Sequence, residues 1–298
     1  PLPLVHGDKV IEAPADQSTL TKRYTEETIK FIEANQNQPF FLYLPHTFPH
    51  LPLFASPAFN DKSANGRYGD SVEEIDWSTG EILDCLDRLS LAEDTIVIFT
   101  SDNGSNGRNG GSNLPLAGRK GTTMEGGMRV PMIIRWPGKI PAGSSCSELA
   151  TTMDFLPTFC AITGAEGPSL PIDGYDIQPL LYSAENASTP YEVFYYYRRR
   201  QLQALRSGDW KYHLELGETH LNWTTPVPLS EGRPAKLVNL VSDLQETTDL
   251  SDQYPDVLKQ MQRLAAEAVE RYGNDGVEGS EQRESYTLTF STPMILEK

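Results

Sequence analysis

Two short apolar runs, each following an amphipathic helical segment, constrain the fold more than any other feature of this sequence. Residues 19–36 carry an imperfect helical stripe of apolar side chains and lead into residues 40–44 (FFLYL), a continuous apolar run between two prolines. Residues 71–89 repeat this arrangement and lead into residues 95–100 (TIVIFT). Such runs are typical of strands buried on both faces. The pattern predicts an α/β domain with a largely parallel sheet flanked by helices.

Polar residues follow both predicted strands. The segment 46–53 (HTFPHLPL) comes after the first strand, and the tetrapeptide 101–104 (SDNG) comes after the second. In open α/β sheets, ligands bind beyond the carboxyl ends of the strands. The two segments are therefore the first candidates for a functional site.

A different pattern begins near residue 188. Residues 194–200, 203–206 and 210–216 are predicted to form antiparallel strands, with a tight turn at residues 207–209 (SGD). Residues 255–272 have the periodicity of an amphipathic helix. We therefore predict two domains: residues 1–187 form the α/β domain, and residues 188–298 form a smaller α+β subdomain that contains an antiparallel sheet.

The charge of the chain disfavours several classes of partner. Its 298 residues include 25 Lys and Arg against 41 Asp and Glu, a formal net charge of −16. This charge repels phosphate, so a nucleic-acid partner and an anionic membrane surface are not expected. An anionic substrate would have to be held by a local concentration of positive charge. No apolar run reaches the roughly 18 to 20 residues of a membrane span. The three cysteines have neither metal-site spacing nor an even count, so neither a zinc site nor a disulfide framework is expected.

Four residues at the predicted strand ends have side chains suited to chemistry. Asp102 and Asn103 are adjacent oxygen donors of the kind that Ca²⁺ and Mg²⁺ prefer, although Asp-Asn-Gly is also a common turn sequence. His46 and His50 belong to a proline-rich segment whose restricted backbone could present an imidazole rigidly, although a single histidine is more often structural.

Basic residues in glycine-rich surroundings form a second group of candidates. Arg119 and Lys120 form a glycine-bracketed pair, and flanking glycines allow a ligand to approach closely. Arg108 lies in the Gly, Asn and Ser-rich segment 103–113, which is either a surface loop or a loop over a site. Because this segment leaves directly from the SDNG tetrapeptide, we favour the second interpretation.

Five segments in a fixed order give the sequence a specific likeness. They are FFLYLPHTFPHLPL, RYGDSVEEIDWSTGEILDCL, TIVIFTSDNG, GRKGTTMEGGMRVPMIIRWPGKIPAG and LRSGDWKYHL. In order and spacing the sequence resembles the arylsulfatase family of the alkaline-phosphatase-like superfamily over residues 19–250. The resemblance implies an alkaline-phosphatase-like sheet, with residues 1–187 as the carboxyl-terminal portion of the catalytic domain, and it implies the hydrolysis of sulfate monoesters.

The resemblance also implies roles for individual residues. Asp102 and Asn103 are expected to be ligands of a divalent cation, Ca²⁺ or alternatively Mg²⁺. His50 and Lys120 are expected to be catalytic, since their counterparts contact the sulfate ester and its leaving-group oxygen. His46 is expected to line the pocket. Substrate binding is also expected of Arg108 and Arg119.

One departure from the family pattern concerns the nucleophile. Family members carry a formylglycine made from the first residue of a C/S-x-P-S-R motif, and this motif is absent from the 298 residues. We therefore expect an upstream portion to supply the nucleophile, either in the same protein or as a separate segment. The expected substrate is a sulfated small molecule or carbohydrate.

Two other functions remain open at this stage. One is a phosphonate monoester hydrolase or phosphodiesterase of the same superfamily, and the other is a carbohydrate-binding pseudo-enzyme. The family also implies a periplasmic or secreted protein in a bacterium, and a lysosomal or secreted one in a eukaryote.

Overall fold

The computed structural model describes residues 2–183, 186–217, 219–221, 226–228 and 232–284. The chain divides into two compact units. Among the described residues, the first unit contains residues 2–95, 108–111 and 283–284, and the second contains residues of the ranges 96–107 and 112–282. The second unit therefore extends across position 187, where the domain boundary was predicted. That boundary stays a prediction, and the stretch from residue 285 onward lies outside the described residues.

Two helices dominate the first unit. They are α1 (Leu20–Asn35) and α2 (Gly66–Arg88), and a hairpin of β1 (Leu4–His6) and β2 (Lys9–Glu12) precedes them. Leu20 of α1 and Ile75 of α2 pack with Phe48 in one buried cluster. Both helices are where the apolar periodicity predicts them, except that α2 begins five residues earlier than expected.

The apolar run 40–44 is not a strand, and this prediction is wrong. The run lies outside any regular element, and the side chains of Phe41 and Tyr43 are 74% and 78% exposed. A strand buried on both faces needs a hydrogen-bonded neighbour at its edges and packing on its two faces. Among the residues described, no strand pairs with this run.

The second unit begins with a two-stranded antiparallel ribbon of β3 (Val97–Thr100) and β4 (Met132–Arg135). Between these strands lies a single helical turn, α3 (Glu125–Met128). After the ribbon come α4 (Phe155–Thr163) and α5 (Gln178–Leu181). Every strand pair among the described residues is antiparallel, so the predicted parallel sheet is not among them.

A four-stranded antiparallel sheet follows, as the sequence predicts. Its strand order is β10-β7-β6-β5, with a further short hairpin of β8 and β9; the bounds are β5 (Phe194–Arg198), β6 (Gln201–Ser207), β7 (Trp210–His213), β8 (Thr219–Leu221), β9 (Pro226–Pro228) and β10 (Lys236–Asn239). The final helix, α6 (Pro255–Tyr272), packs Met261 and Ala265 against Leu205, Tyr212 and Leu237 on one face of this sheet. The other face is therefore left for contacts with the rest of the unit.

None of the helices in the described ranges combines the length and apolar character needed to cross a lipid bilayer.

Candidate active site

The tetrapeptide SDNG forms a turn directly after β3. Ser101 Oγ donates a hydrogen bond to the carbonyl oxygen of Asn103 at 3.1 Å, which closes the turn on itself. Asp102 is exposed and Asn103 is half-buried. The strand therefore ends in a fixed turn with two adjacent oxygen-bearing side chains.

Gly104 brings this turn into direct contact with the segment before β4. Its N–H donates to the carbonyl oxygen of Gly127 at 3.2 Å. A Cβ built on Gly104 would lie 1.9 Å from the carbonyl oxygen of Gly126, far closer than any real contact. Two backbones touch here, which explains why glycine occupies this position.

Lys120 lies on the segment that meets this turn. The Lys120 N–H donates to the carbonyl oxygen of Ser105 at 2.9 Å, so the lysine backbone is bonded two residues from Asn103. Asn113 strengthens the junction, because its side chain donates to Ser105 O and accepts from Ser105 N, both at 2.8 Å. The structure thus brings the segments of the predicted metal ligands and the predicted catalytic lysine together within one unit.

Arg119 sits at the start of a tight turn. Its carbonyl oxygen accepts hydrogen bonds from the backbone N–H of Thr122 at 2.9 Å and from the Thr122 hydroxyl at 2.8 Å. The Arg119 side chain is exposed and Lys120 is half-buried. The turn therefore fixes the backbone that carries the two cations.

The two histidines and Arg108 belong to the first unit and differ in environment. His50 is exposed, and its Nδ1 lies 2.8 Å from the carbonyl oxygen of Leu51. Because a carbonyl only accepts, Nδ1 carries a proton and Nε2 is the nitrogen that can exchange one with a ligand. His46 is half-buried, and burial lowers its pKa, so its imidazole is neutral near pH 7. Arg108 is exposed.

A buried ionic network, which our sequence analysis did not predict, lies next to the Lys120 segment. Lys211 Nζ is 2.9 Å from Glu125 Oε1 and 3.1 Å from Glu246 Oε2. The exposed fractions of the Lys211, Glu125 and Glu246 side chains are 0%, 4% and 0%. The Tyr196 hydroxyl donates to Glu125 Oε1 at 2.8 Å, and the Lys211 ammonium lies 4.0 Å from the centre of the Tyr196 ring.

His213 completes the network and is neutral. Its Nε2 lies 2.6 Å from Glu246 Oε2, and burial lowers the pKa of His213 more than this hydrogen bond raises it. A neutral imidazole next to a carboxylate donates from Nε2. Burial by itself raises the pKa of Glu246, but the hydrogen bond from His213 and the charge of Lys211 outweigh it, so the pKa of Glu246 is lowered and the group is a carboxylate.

The sequence contains a signal for this network. Lys211 and His213 lie two residues apart on β7, and side chains at this spacing point to the same face of a strand. Two titratable groups on one face of an otherwise apolar strand indicate a buried polar partner. The partner carboxylates lie 86 and 35 residues away along the chain from Lys211, which is why spacing alone could not identify them.

Two donors fit part of a site for a hard cation. Asp102 and Asn103 supply oxygen atoms, the ligand type that Ca²⁺ and Mg²⁺ take. Within the described ranges no group of three or more His, Cys, Asp or Glu residues is arranged to hold a metal ion. Further ligands would therefore have to come from elsewhere.

Comparison with known proteins identifies the family. The profile of the sulfatase family matches residues 6–165, which is more than half of the chain. The chain is a member of the sulfatase family. Human steryl-sulfatase is 42% identical over 212 residues, a match that covers 68% of this chain and 36% of the human protein. Pig N-acetylgalactosamine-6-sulfatase is 42% identical over 210 residues, covering 68% of this chain and 40% of that protein.

A solved sulfatase structure agrees with the family assignment. The crystal structure of a sulfatase from Pseudoalteromonas is similar with a TM-score of 0.77 at 28% identity, over 89% of this chain and 55% of that one. This likeness confirms the predicted alkaline-phosphatase-like fold class. The chain spans between one third and two fifths of the length of these two curated sulfatases.

Proposed function

We propose that this sulfatase-family chain takes part in the hydrolysis of sulfate monoesters. The observation that supports this best is the hydrogen bond from Lys120 N–H to Ser105 O at 2.9 Å. It links the glycine-bracketed lysine with the Asp102–Asn103 turn inside a single unit. In a chain with a net charge of −16, an anionic ester head has to be held by local positive charge. A cation-binding turn next to a lysine would supply that charge.

The positive groups act on charge that develops during the reaction. As the S–O bond breaks, negative charge moves to the leaving oxygen, and groups already aimed at that position stabilise the transition state. Lys120 would hold the sulfate oxygens and the leaving oxygen. Arg108 and Arg119 would help to bind the anionic substrate.

His50 is the better candidate for proton transfer. It is exposed, and its Nδ1–H is bonded to Leu51 O, which leaves Nε2 as the nitrogen that would take up a proton, giving the imidazolium, and pass that proton to the leaving oxygen. A positioned general acid contributes roughly 10²- to 10⁴-fold to the rate. The lowered pKa of His46 makes that residue a poor proton donor near neutral pH, which suits a role in lining the pocket.

Asp102 and Asn103 would hold a divalent cation, with Ca²⁺ as the first choice and Mg²⁺ as the alternative. The cation would supply positive charge to the sulfate group. The donor types of the two side chains support this assignment, and the remaining ligands would come from acids outside the described turn.

The nucleophile would come from outside these 298 residues. Since no C/S-x-P-S-R motif is present, we propose that a formylglycine is supplied by an upstream portion of the same protein or by a separate segment. The substrate class would be a sulfated small molecule or carbohydrate, as in steryl-sulfatase and N-acetylgalactosamine-6-sulfatase. A periplasmic, secreted or lysosomal location would follow from this function.

The test uses the protein expressed from its complete reading frame, termed the complete protein below, together with a formylglycine-generating enzyme. Hydrolysis of 4-methylumbelliferyl sulfate and of sulfated N-acetylgalactosamine is compared with hydrolysis of the matching phosphate and phosphonate esters. Faster turnover of the sulfate esters supports the proposal.

Two results would contradict the proposal. Faster turnover of phosphate or phosphonate esters would favour the phosphoryl-transfer alternative. Sugar binding without hydrolysis of any ester would favour a pseudo-enzyme. The gene sequence upstream of Pro1 is an independent check, because a C/S-x-P-S-R motif there identifies the nucleophile.

A further inference from the structure

The buried network next to Lys120 is a costly arrangement. It removes one ammonium and two carboxylates from water, and each ion loses several kcal/mol of hydration on burial. Apolar side chains of the same volume are often at least as stabilising as a buried ion pair. Hydrogen bonds and ion pairs are directional, whereas apolar packing is not. A role in fixing the orientation of a segment accounts for the network better than stability alone.

Glu125 is held at both its side chain and its backbone. Its Oε1 accepts hydrogen bonds from Tyr196 Oη at 2.8 Å and from Lys211 Nζ at 2.9 Å. Its backbone N–H donates to Glu246 Oε1 at 2.7 Å. Glu246 is itself fixed by His213 and Lys211. Glu125 therefore cannot shift without breaking several charge-assisted bonds.

The backbone between Glu125 and Lys120 is short and closed by hydrogen bonds. Thr122 N–H donates to Arg119 O at 2.9 Å, and Gly126 N–H donates to Ala117 O at 2.6 Å. These bonds join both ends of the segment 117–126. A displacement at Glu125 is transmitted through this turn to Lys120.

We propose that Glu125 is a positioning residue for Lys120: anchored by Lys211, Tyr196 and Glu246, it fixes the backbone from which the Lys120 ammonium reaches the sulfate group. This inference rests on the proposed function, because it concerns the lysine to which that function assigns the sulfate. The anchor lies entirely within the second unit, and its side chains are buried.

The first experiment is a double-mutant cycle in the complete protein. Glu125→Asp keeps the charge and shortens the side chain by one methylene, so the carboxylate can reach its partners only if the backbone moves. Misplacement of a catalytic group by about 1 Å lowers turnover by about 100-fold. We expect Glu125→Asp to lower kcat/KM by about this factor in the wild-type background and by less than about threefold when Lys120 is already alanine.

Each outcome of the cycle either supports or contradicts the positioning role of Glu125. Equal losses in the two backgrounds would mean that Glu125 acts on the fold in general, and no loss in the wild-type background would mean that it positions nothing. If Glu125→Asp fails to fold, Tyr196→Phe takes its place, because it removes one hydroxyl that donates to Glu125. The expected loss is then about tenfold, the equivalent of one hydrogen bond to a charged group, with the same dependence on Lys120.

The second experiment does not depend on catalysis. Hydrogen exchange of the Lys120 amide reports the bond to Ser105 O. We expect exchange at Lys120 to become at least about tenfold faster in Glu125→Asp, while the amides of α6 keep their rates. Unchanged exchange at Lys120 would overturn the inference.

Asp154 provides a matched control. It is another buried carboxylate of the same unit, and it accepts hydrogen bonds from the Tyr191 hydroxyl and from the backbone N–H of Thr151 and Tyr175. Asp154→Asn is expected to lower the melting temperature without changing kcat/KM or exchange at Lys120. If Asp154→Asn changes kcat/KM and exchange at Lys120 as Glu125→Asp does, both effects come from a general loosening of the unit. That result would overturn the inference.

The two experiments separate the inference from the proposed function. If the complete protein hydrolyses no sulfate ester, the proposed function fails, and hydrogen exchange still decides whether Glu125 positions Lys120. If sulfate esters are hydrolysed but the cycle shows equal losses, the function stands and the positioning role fails.

Discussion

Lys211 Nζ lies 2.9 Å from Glu125 Oε1 in a region from which water is almost fully excluded. Lys211 belongs to β7, whereas Glu125 begins the helical turn α3, so the contact links the antiparallel sheet to the segment that carries Lys120. A single ammonium serves two carboxylates here, because Glu246 Oε2 is 3.1 Å away. The consequences of this sharing can be measured.

Replacing Lys211 by methionine should destabilise the complete protein strongly. The substitution leaves two buried carboxylates without their cation, and breaking a buried pair in this way costs about 3–5 kcal/mol. The measurement is the urea midpoint of unfolding followed by tryptophan fluorescence.

Lys22→Met is the comparison for this variant, since Lys22 forms an exposed ion pair with Glu26 at 3.8 Å. That exposed pair should contribute almost nothing to the free energy of unfolding, so the urea midpoint of Lys22→Met should stay close to that of the wild type. Similar midpoints for Lys211→Met and the wild type would contradict the importance of the buried pair.

Gly104→Ala should disrupt the contact between the two backbones. The added Cβ would lie 1.9 Å from Gly126 O, so one segment must move away. We expect lower thermal stability and at least about a 100-fold loss of sulfate-ester turnover, because the site segments separate.

Gly80→Ala is the matched control for this glycine. Gly80 lies inside α2, and a Cβ there meets nothing within 4 Å. Alanine at an exposed helical position is favoured by about 0.5–1 kcal/mol, so this variant should be slightly more stable. Equal behaviour of the two variants would rule out the close contact at Gly104.

Stability should fall on acidification, in part through His213. Burial lowers the pKa of His213 in the folded state, so below the ordinary pKa near 6.5 the unfolded state binds the proton more readily. This group therefore adds stability above pH 6.5 that is lost as the pH falls towards its lowered folded pKa.

His213→Gln should reduce that loss, because an amide still donates to Glu246 but does not titrate. The measurement is the melting temperature at pH 7 and pH 5 for the wild type and this variant. His46→Gln should act in the same direction, since burial lowers the pKa of His46 too. If the melting temperature of His213→Gln falls between pH 7 and pH 5 by as much as that of the wild type, His213 is not a source of the acid sensitivity.

Lys120→Ala should lower kcat/KM for sulfate esters by at least about 100-fold, because it removes the cation that we propose acts on the leaving oxygen in the transition state. The melting temperature should change little, since Lys120 is only half-buried. Lys139→Ala, at an exposed lysine of the same unit, is expected to keep wild-type rates. Wild-type rates in Lys120→Ala would remove this residue from the mechanism.

Asp102→Ala should weaken calcium binding as well as turnover, because it removes one oxygen ligand of the proposed cation. Calorimetric titration of the metal-free complete protein with Ca²⁺ measures the affinity. Asp94→Ala, at an exposed acid eight residues earlier in the sequence, is the control. An unchanged affinity in Asp102→Ala would show that Asp102 is not a ligand.

Elements that bury one face could be predicted from the sequence. In α6 and in strands β5 to β7 the side chains that pack together follow the period of their own element, so local pattern and tertiary packing agree. In residues 40–44, the local pattern and the tertiary packing disagree. An apolar run predicts burial, but a strand also requires a neighbouring strand to pair with, and among the described residues no strand pairs with this run.

The residues of the candidate site also fall into two groups, those that the sequence could predict and those that it could not. Asp102, Asn103 and Lys120 could be selected because each lies in a distinctive local motif. Glu125 and Glu246 could not, since their importance comes from partners distant in sequence that meet only in the folded unit. Contacts of high sequence separation are set by the fold, and no local window contains them.

The close contact of Gly104 with Gly126 also limits how such a protein can be re-engineered. Because this contact leaves no room for a methyl group, Gly104 cannot be replaced by other residues without moving the backbone. Random diversification aimed at a new substrate is better spent on exposed non-glycine positions such as Arg108 and Ser112, because Gly107 and Gly110 beside them have positive φ angles that disfavour a side chain. Variants that spare Gly104 would then keep the backbone contact between the SDNG turn and the Lys120 segment while their exposed side chains differ.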